Sequence, residues 1–257
     1  MDLISPSHHV INQHFPRHVF MASFSFFAEE ASQSSTEVLR AAREVPLSEI
    51  CEQAGRWQEE EVTVPHQAAC ASAERPPVVL RKPIVPESWE LDLVRSEAGG
   101  GAGSAAPDAL LGSDLVSNVY EGGFKLWECS RDLLDLLWTR GQSGELDLAG
   151  ASVLEAGCGA GLPGMLAMLL GATRLTLQDF NRGVLCAVTM PALRLNGLWC
   201  QAVDGHVRLL EGDWAMVSEM LLREQCHGAA AGRGGDEGGD EGGDGGGDEG
   251  GDEGGGG

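Results

Sequence analysis

The chain has 257 residues, a formal charge of -22 and 42% hydrophobic residues, enough for one ordinary domain with flanking segments. Nine of its 39 acids follow His227 in Gly-Gly-Asp-Glu units, so setting them aside with Arg233 takes the charge from -22 to -14. That acidity argues against non-specific nucleic-acid binding and favours basic partners. Seven cysteines without a Cys-x-x-Cys pair argue against a disulfide framework. Neither a membrane-spanning apolar run nor a secretory signal pattern is present, so a soluble intracellular protein is expected.

Residues 1–107 show weak periodicity and are expected to be mostly disordered. They carry His8, His9, His14 and His18, then Phe24, Phe26 and Phe27, with a short helix possible over 35–43. Pro76, Pro77, Pro83 and Pro86 break regular elements, and 77–93 can lie extended against the domain. A small-residue linker covers 99–107. The globular part, residues 108–226, alternates helices and strands. Leu133, Leu134, Leu136, Leu137 and Trp138 among charges predict an amphipathic helix over 128–140. Strands are predicted over 152–156, 174–178 and 207–211, and helices over 162–170, 183–195 and 214–223. Pro163 suits a first helical turn, whereas Pro191 is expected to interrupt or kink its helix. The alternation implies an α/β fold with a parallel sheet and crossover helices. Residues 227–257 are an acidic low-complexity tail, read as a solvated polyanion; its period of about four and lack of large apolar residues do not fit a calcium-binding β-helix.

Val153-Leu-Glu-Ala-Gly-Cys-Gly-Ala-Gly161 is an apolar strand ending in an acid and a glycine-dense loop, followed by a helix. Ligands of parallel sheets bind at the carboxyl ends of strands. Gly157, Gly159 and Gly161 permit positive φ and close backbone approach. Glu155 can orient the loop or receive a ligand ammonium through water. Asp179, after the second strand, can accept hydrogen bonds from ribose hydroxyls. Asp213 of Gly212-Asp213-Trp214 can accept from an adenine amino group, and Trp214 can offer an aromatic face. These residues suit S-adenosylmethionine. Gly159-Ala-Gly-Leu-Pro-Gly164 also fits a dinucleotide fingerprint, and a ligand-free tight turn is a third reading. Taken alone, Trp127 can be a core aromatic, and Glu121 and Glu128 solvated charges or caps. Cys158 reads as a small filler. The early histidines lack cysteine partners at zinc spacing, so no metal site is expected.

Ser113-Asp-Leu115, Val119-Tyr-Glu-Gly-Gly-Phe-Lys-Leu-Trp-Glu-Cys129 and Asp132-Leu-Leu134 resemble the protein-histidine methyltransferases of the methyltransferase-like class. The resemblance continues through the glycine loop, Gln178-Asp-Phe-Asn181 and Thr189-Met-Pro191, and ends at Gly212-Asp-Trp214. It implies a seven-stranded, Rossmann-like methyltransferase sheet and S-adenosyl-L-methionine as cofactor. Leu126, Trp127, Glu128, Cys129, Ser130, Gly157, Gln178, Asp179, Phe180, Gly212, Asp213 and Trp214 would line the pocket. The implied activity moves a methyl group to a histidine ring nitrogen in a basic large-subunit ribosomal protein, in cytoplasm and nucleus, by a monomer with no nucleic-acid or membrane partner. No residue is assigned as catalytic base. Met21-Ala-Ser-Phe-Ser-Phe26 is similar to the start of family members and makes Met21 an alternative first residue.

After Trp214 the family pattern is not followed. With the family strand order 3-2-1-4-5-7-6, only strands 3-2-1 are expected, leaving strand one an open edge and suggesting a truncated product. Two alternatives stay open: a lysine-directed member of the neighbouring methyltransferase-like group, and a non-catalytic binding module with an acidic tail.

Overall fold

The computed structural model describes residues 18–22, 39–65, 76–97 and 120–231. Backbone contacts divide the chain into Met1–Met220, which holds the sheets and the site, and Leu221–Gly257. The segments 113–119 and 99–107, the histidines at 8, 9 and 14, the Phe-rich patch and the acidic residues after 231 lie outside the described residues.

The first unit is built on a five-stranded sheet of order β1-β5-β6-β7-β2, with His18–Ala22 as β1 and Arg43–Glu44 as β2 at its edges. Its centre is β5 (Ser152–Ala156), β6 (Arg174–Asp179) and β7 (Val207–Glu211), all parallel. Val153, Leu175, Leu177, Leu209 and Leu210 are buried, as befits strands covered on both faces. Register positions the site. Ala156 pairs with Gln178, which pairs with Leu210, so the three carboxyl ends finish nearly level and their following loops emerge together.

Helices connect and cover these strands. α2 (Glu128–Ser143) buries Leu133, Leu134, Leu137 and Trp138 and stops at Gly144, whose φ of 77° supplies a left-handed C-cap. α3 (Leu162–Leu169) is apolar on nearly every side and accordingly buried. α4 spans 182–195 without interruption, unlike the expected break at Pro191. It contains a π turn, Leu185–Thr189, immediately before Met190–Leu195. Pro191 has no N–H for the carbonyl one turn back, and the widened turn accommodates that mismatch within a continuous helix. α5 (Trp199–Val203) leads into β7, and α6 (Trp214–Ala231) begins after it.

The expectation of a mostly disordered region before residue 107 does not hold over the described parts. β3 (Glu59–Val64) and β4 (Val78–Pro83) form an antiparallel pair, and α1 (Glu87–Glu97) follows Pro86 where an extended chain was expected. Val62, Val64 and Leu80 enter the core while Glu59 and Glu61 face water. The alternation is that of a half-buried strand. Asn196 ties this pair to α4: its amide accepts from Arg81 N at 2.8 Å and donates to Arg81 O at 2.7 Å, imitating a strand neighbour. Buried Lys82 meets Glu60 at 3.6 Å, and Glu60 also pairs with Arg131 of α2. Burial lowers the Lys82 pKa against the raising effect of Glu60.

Two further findings revise the expected sheet. β1 (His18–Ala22) runs parallel to β5, from His18 opposite Ser152 to Ala22 opposite Ala156, so the edge expected to be open is paired. On the far side, Arg43–Glu44 forms β2, antiparallel to β7. Arg43 is therefore a strand residue and not the end of a helix. Among the described residues, no helix is long and apolar enough to cross a membrane.

Candidate cofactor site

The loop after β5 turns through Gly157, Gly159 and Gly161, with φ of 62°, 51° and 69°. Gly159 has two reasons to be glycine. Its φ is left-handed, and a Cβ there would lie 3.2 Å from Gly123 O. Gly159 N donates to Asp179 Oδ2 at 2.9 Å, while Asn181 N donates to Oδ1 at 3.0 Å. These two bonds orient the Asp179 carboxylate at the end of β6.

The Tyr-Glu-Gly-Gly stretch forms the opposite wall through short-range locks. Buried Tyr120 stacks on Phe124 with 4.9 Å between centroids, and its hydroxyl accepts from Phe124 N at 3.0 Å. Glu121 N donates to Asn181 Oδ1 at 3.1 Å, and Trp127 Nε1 donates to Gly122 O at 3.0 Å. Gly123 sits where a Cβ would lie 2.7 and 2.8 Å from the Val184 methyls and 3.2 Å from Asp179 Oδ2. This turn therefore abuts the glycine loop and holds Trp127 against the cleft.

The resulting cleft has a volume of about 240 Å³. Leu126, Trp127, Cys129, Ser130, Gly157, Gly159, Asp179, Phe180, Asp213 and Trp214, all singled out from the sequence, line it. Five others do not. Glu128 is exposed at the first position of α2. Gly161 packs toward Leu177 and Thr189. Gln178 and Gly212 lie behind the wall, Gln178 only 1% exposed. Its Oε1 accepts from Gly157 N at 3.0 Å and Trp214 Nε1 at 2.9 Å, and its Nε2 donates to Gly212 O at 2.8 Å. One carboxamide thus fastens the loops after β5 and β7.

Glu155 is also redirected. Fully buried, it accepts from Gly164 N at 2.7 Å and does not reach the cleft. Burial, aided by the Asp179 charge and opposed by the Gly164 bond, pushes its carboxyl up to about 8. Of its two sequence-level roles, orienting the loop is the one this geometry permits. Thr189 was not singled out as a site residue, yet its buried hydroxyl donates to Gly159 O at 2.5 Å from the π turn. Glu121, Gly123, Lys125, Cys158, Ala160, Leu162 and Pro163 complete the lining. Their neighbourhood in sequence to the two glycine stretches was the available signal. Cys158 is 4% exposed, and burial with the nearby Asp179 and Glu155 charges pushes its thiol well above its ordinary value. A neutral buried thiol is a poor nucleophile. Among the described residues, no group of three or more His, Cys, Asp or Glu could hold a metal ion.

Parallel strands, crossover helices and a glycine loop meeting two strand-end acids are compatible with a Rossmann-like methyltransferase fold. No family model matches the chain. It is similar to a histidine protein methyltransferase 1 homologue of Dictyostelium discoideum, 41% identical over 113 residues covering 44% of this chain and 34% of that protein. A Bos taurus protein of the same description is 45% identical over 84 residues, covering 33% of this chain and 21% of the relative. Histidine protein methyltransferase 1 of Saccharomyces cerevisiae is 34% identical over 142 residues, covering 49% and 36%. Over these stretches the chain is similar to histidine protein methyltransferases. It spans 21% to 36% of the length of these three relatives.

Proposed function

We propose that the protein binds S-adenosyl-L-methionine in this cleft and takes part in methyl transfer to a histidine ring nitrogen of a protein. The observation that carries the cofactor assignment is the charge of the lining: Glu121, Asp179 and Asp213 face one cation, Lys125. Such a lining attracts a sulfonium and an α-ammonium, and it repels the pyrophosphate of a dinucleotide. A dinucleotide would also use the amides opening α3, where Gly164 N is already bound to Glu155. The closeness of Gly159 to Gly123 and the two strand-end acids fit the amino-acid and ribose parts of the cofactor.

When bound, S-adenosylmethionine supplies a methyl group on a positively charged sulfur. We assign the ribose hydroxyls to Asp179, whose oxygens are oriented by Gly159 N and Asn181 N. We assign the adenine amino group to Asp213, which lines the same cleft as the Phe180 and Trp214 rings. Trp127 and Leu126 exclude water from the other wall. A neutral imidazole nitrogen is already nucleophilic, so the chain's contribution is alignment and desolvation. The negative rim favours an acceptor histidine in a basic segment, and a large-subunit ribosomal protein is the substrate class we propose, with action in cytoplasm and nucleus.

Calorimetry with S-adenosylmethionine and S-adenosylhomocysteine tests the cofactor reading. Binding that is lost in Asp179→Ala, with the variant still folded by circular dichroism, is the expected result; no heat with the wild-type chain would refute it. Transfer of labelled methyl to ribosomal proteins, with mass spectrometry of the modified residue, tests the acceptor. Methyl-lysine as product would redirect the proposal to the lysine-directed group.

A further inference from the structure

Residues 39–45 lie across the carboxyl ends of β6 and β7, far in sequence from every residue of the cleft. Arg40 O accepts from Asp213 N at 3.0 Å, and Arg40 Nη1 donates to Phe180 O at 3.2 Å. The guanidinium carbon stands 4.3 Å from the centre of the Phe180 ring. Phe180 and Asp213 both line the cleft but belong to loops after different strands.

The strap is anchored beyond Arg40. Gly212, at φ 121°, has no room for a side chain: a Cβ would lie 2.6 Å from Ala41 O and 2.8 Å from Ala42 Cα. Next, Arg43 and Glu44 pair with Glu211 and Leu210, Val45 N donates to Leu209 O at 2.9 Å, and buried Val45 joins the core. Glu44 also accepts from Arg208 Nε at 2.9 Å. The backbone at Gly212 is thus shaped to receive this segment.

We infer that Arg40 is a positioning residue for the cleft, holding the Phe180 ring and the Asp213 backbone in the arrangement that receives the adenine end of the cofactor. The inference rests on the reading of the cleft as an S-adenosylmethionine site. Arg40 acts through Phe180 and Asp213. Its planar fork donates to the Phe180 carbonyl while stacking on that residue's ring, a pairing an ammonium reproduces only in part.

The experiment compares wild type, Arg40→Ala, Arg40→Lys and Arg208→Ala by calorimetry with S-adenosylhomocysteine, well below each variant's melting temperature. Wild type is expected to bind. Arg40→Ala should bind roughly 5- to 70-fold more weakly, the scale of one cation–π contact with one hydrogen bond, and Arg40→Lys should recover part of the loss. Arg208→Ala removes the ion pair that holds the strap at Glu44, and should leave affinity unchanged. With methyl transfer as readout, Arg40→Ala should raise KM for S-adenosylmethionine and leave KM for the protein acceptor in place. Wild-type binding with equal affinity in Arg40→Ala overturns this inference alone. Equal losses in Arg40→Ala and Arg208→Ala also overturn it, because they would reflect the strap's general stability. No binding by wild type overturns the cofactor reading, and this inference with it.

Discussion

Replacing Glu155 by Gln should change how the stability of the protein depends on pH. Glu155 is fully buried near the end of β5; its Oε2 accepts from Gly164 N, and its Oε1 has no hydrogen-bond partner among the described residues. Burial moves its carboxyl from 4.5 to about 8. Between those values the folded chain keeps a proton that the unfolded chain releases. Stability must therefore fall as pH rises through that window, by up to about 1.4 kcal/mol per pH unit and at most about 5 kcal/mol in all. That is a large share of the roughly 5–15 kcal/mol of an ordinary domain. Gln stays neutral and its carbonyl can keep the Gly164 bond, but its amide must occupy the site of Oε1, costing about 1–3 kcal/mol without an acceptor. Wild type should thus be the more stable at pH 5, and the variant should equal or exceed it at pH 8. Urea denaturation followed by circular dichroism at pH 5, 6.5 and 8 measures this, and the difference between variants cancels most other titrations. A difference that does not change with pH would refute the reasoning, since it would mean that Glu155 ionises in the fold as it does in water.

Gly123→Ala should lower stability by about 1–3 kcal/mol, the usual cost of overpacking, because its Cβ meets the Val184 methyls at 2.7 and 2.8 Å. It should also weaken S-adenosylhomocysteine binding, since Asp179 Oδ2 lies 3.2 Å from the new methyl; thermal melts and calorimetry read the two effects. Gln178→Met keeps the approximate volume but strips Gly157 N, Trp214 Nε1 and Gly212 O of their shared partner. A loss of about 1–3 kcal/mol for each group left buried and unsatisfied is expected. Chemical denaturation measures it, and wild-type stability in this variant would show that water takes over the amide's bonds.

Local signals reached the centre of the fold. The predicted strand over 152–156 and the one over 207–211 match β5 and β7, because an apolar run bounded by Gly or Asp specifies its own limits. Side-chain direction was less legible. Glu155 and Gln178 stand within two residues of the strand ends, yet one points under α3 and the other between two loops, and neither lines the cleft. A strand's alternation tells which residues share a face, but not what covers that face.

By itself, the sequence determined that a glycine loop, Asp179 and Asp213 would stand at the ends of successive parallel strands, since each depends on neighbours within a few residues. Only the tertiary structure decided what borders them. β1 pairs with β5, β2 pairs with β7, and Arg40 reaches Phe180 across 140 positions. Segments such as 18–22 and 39–45 carry little periodicity of their own. Their conformation comes from backbone groups and core surface that the rest of the chain presents to them, and those partners exist only once the sheet has formed.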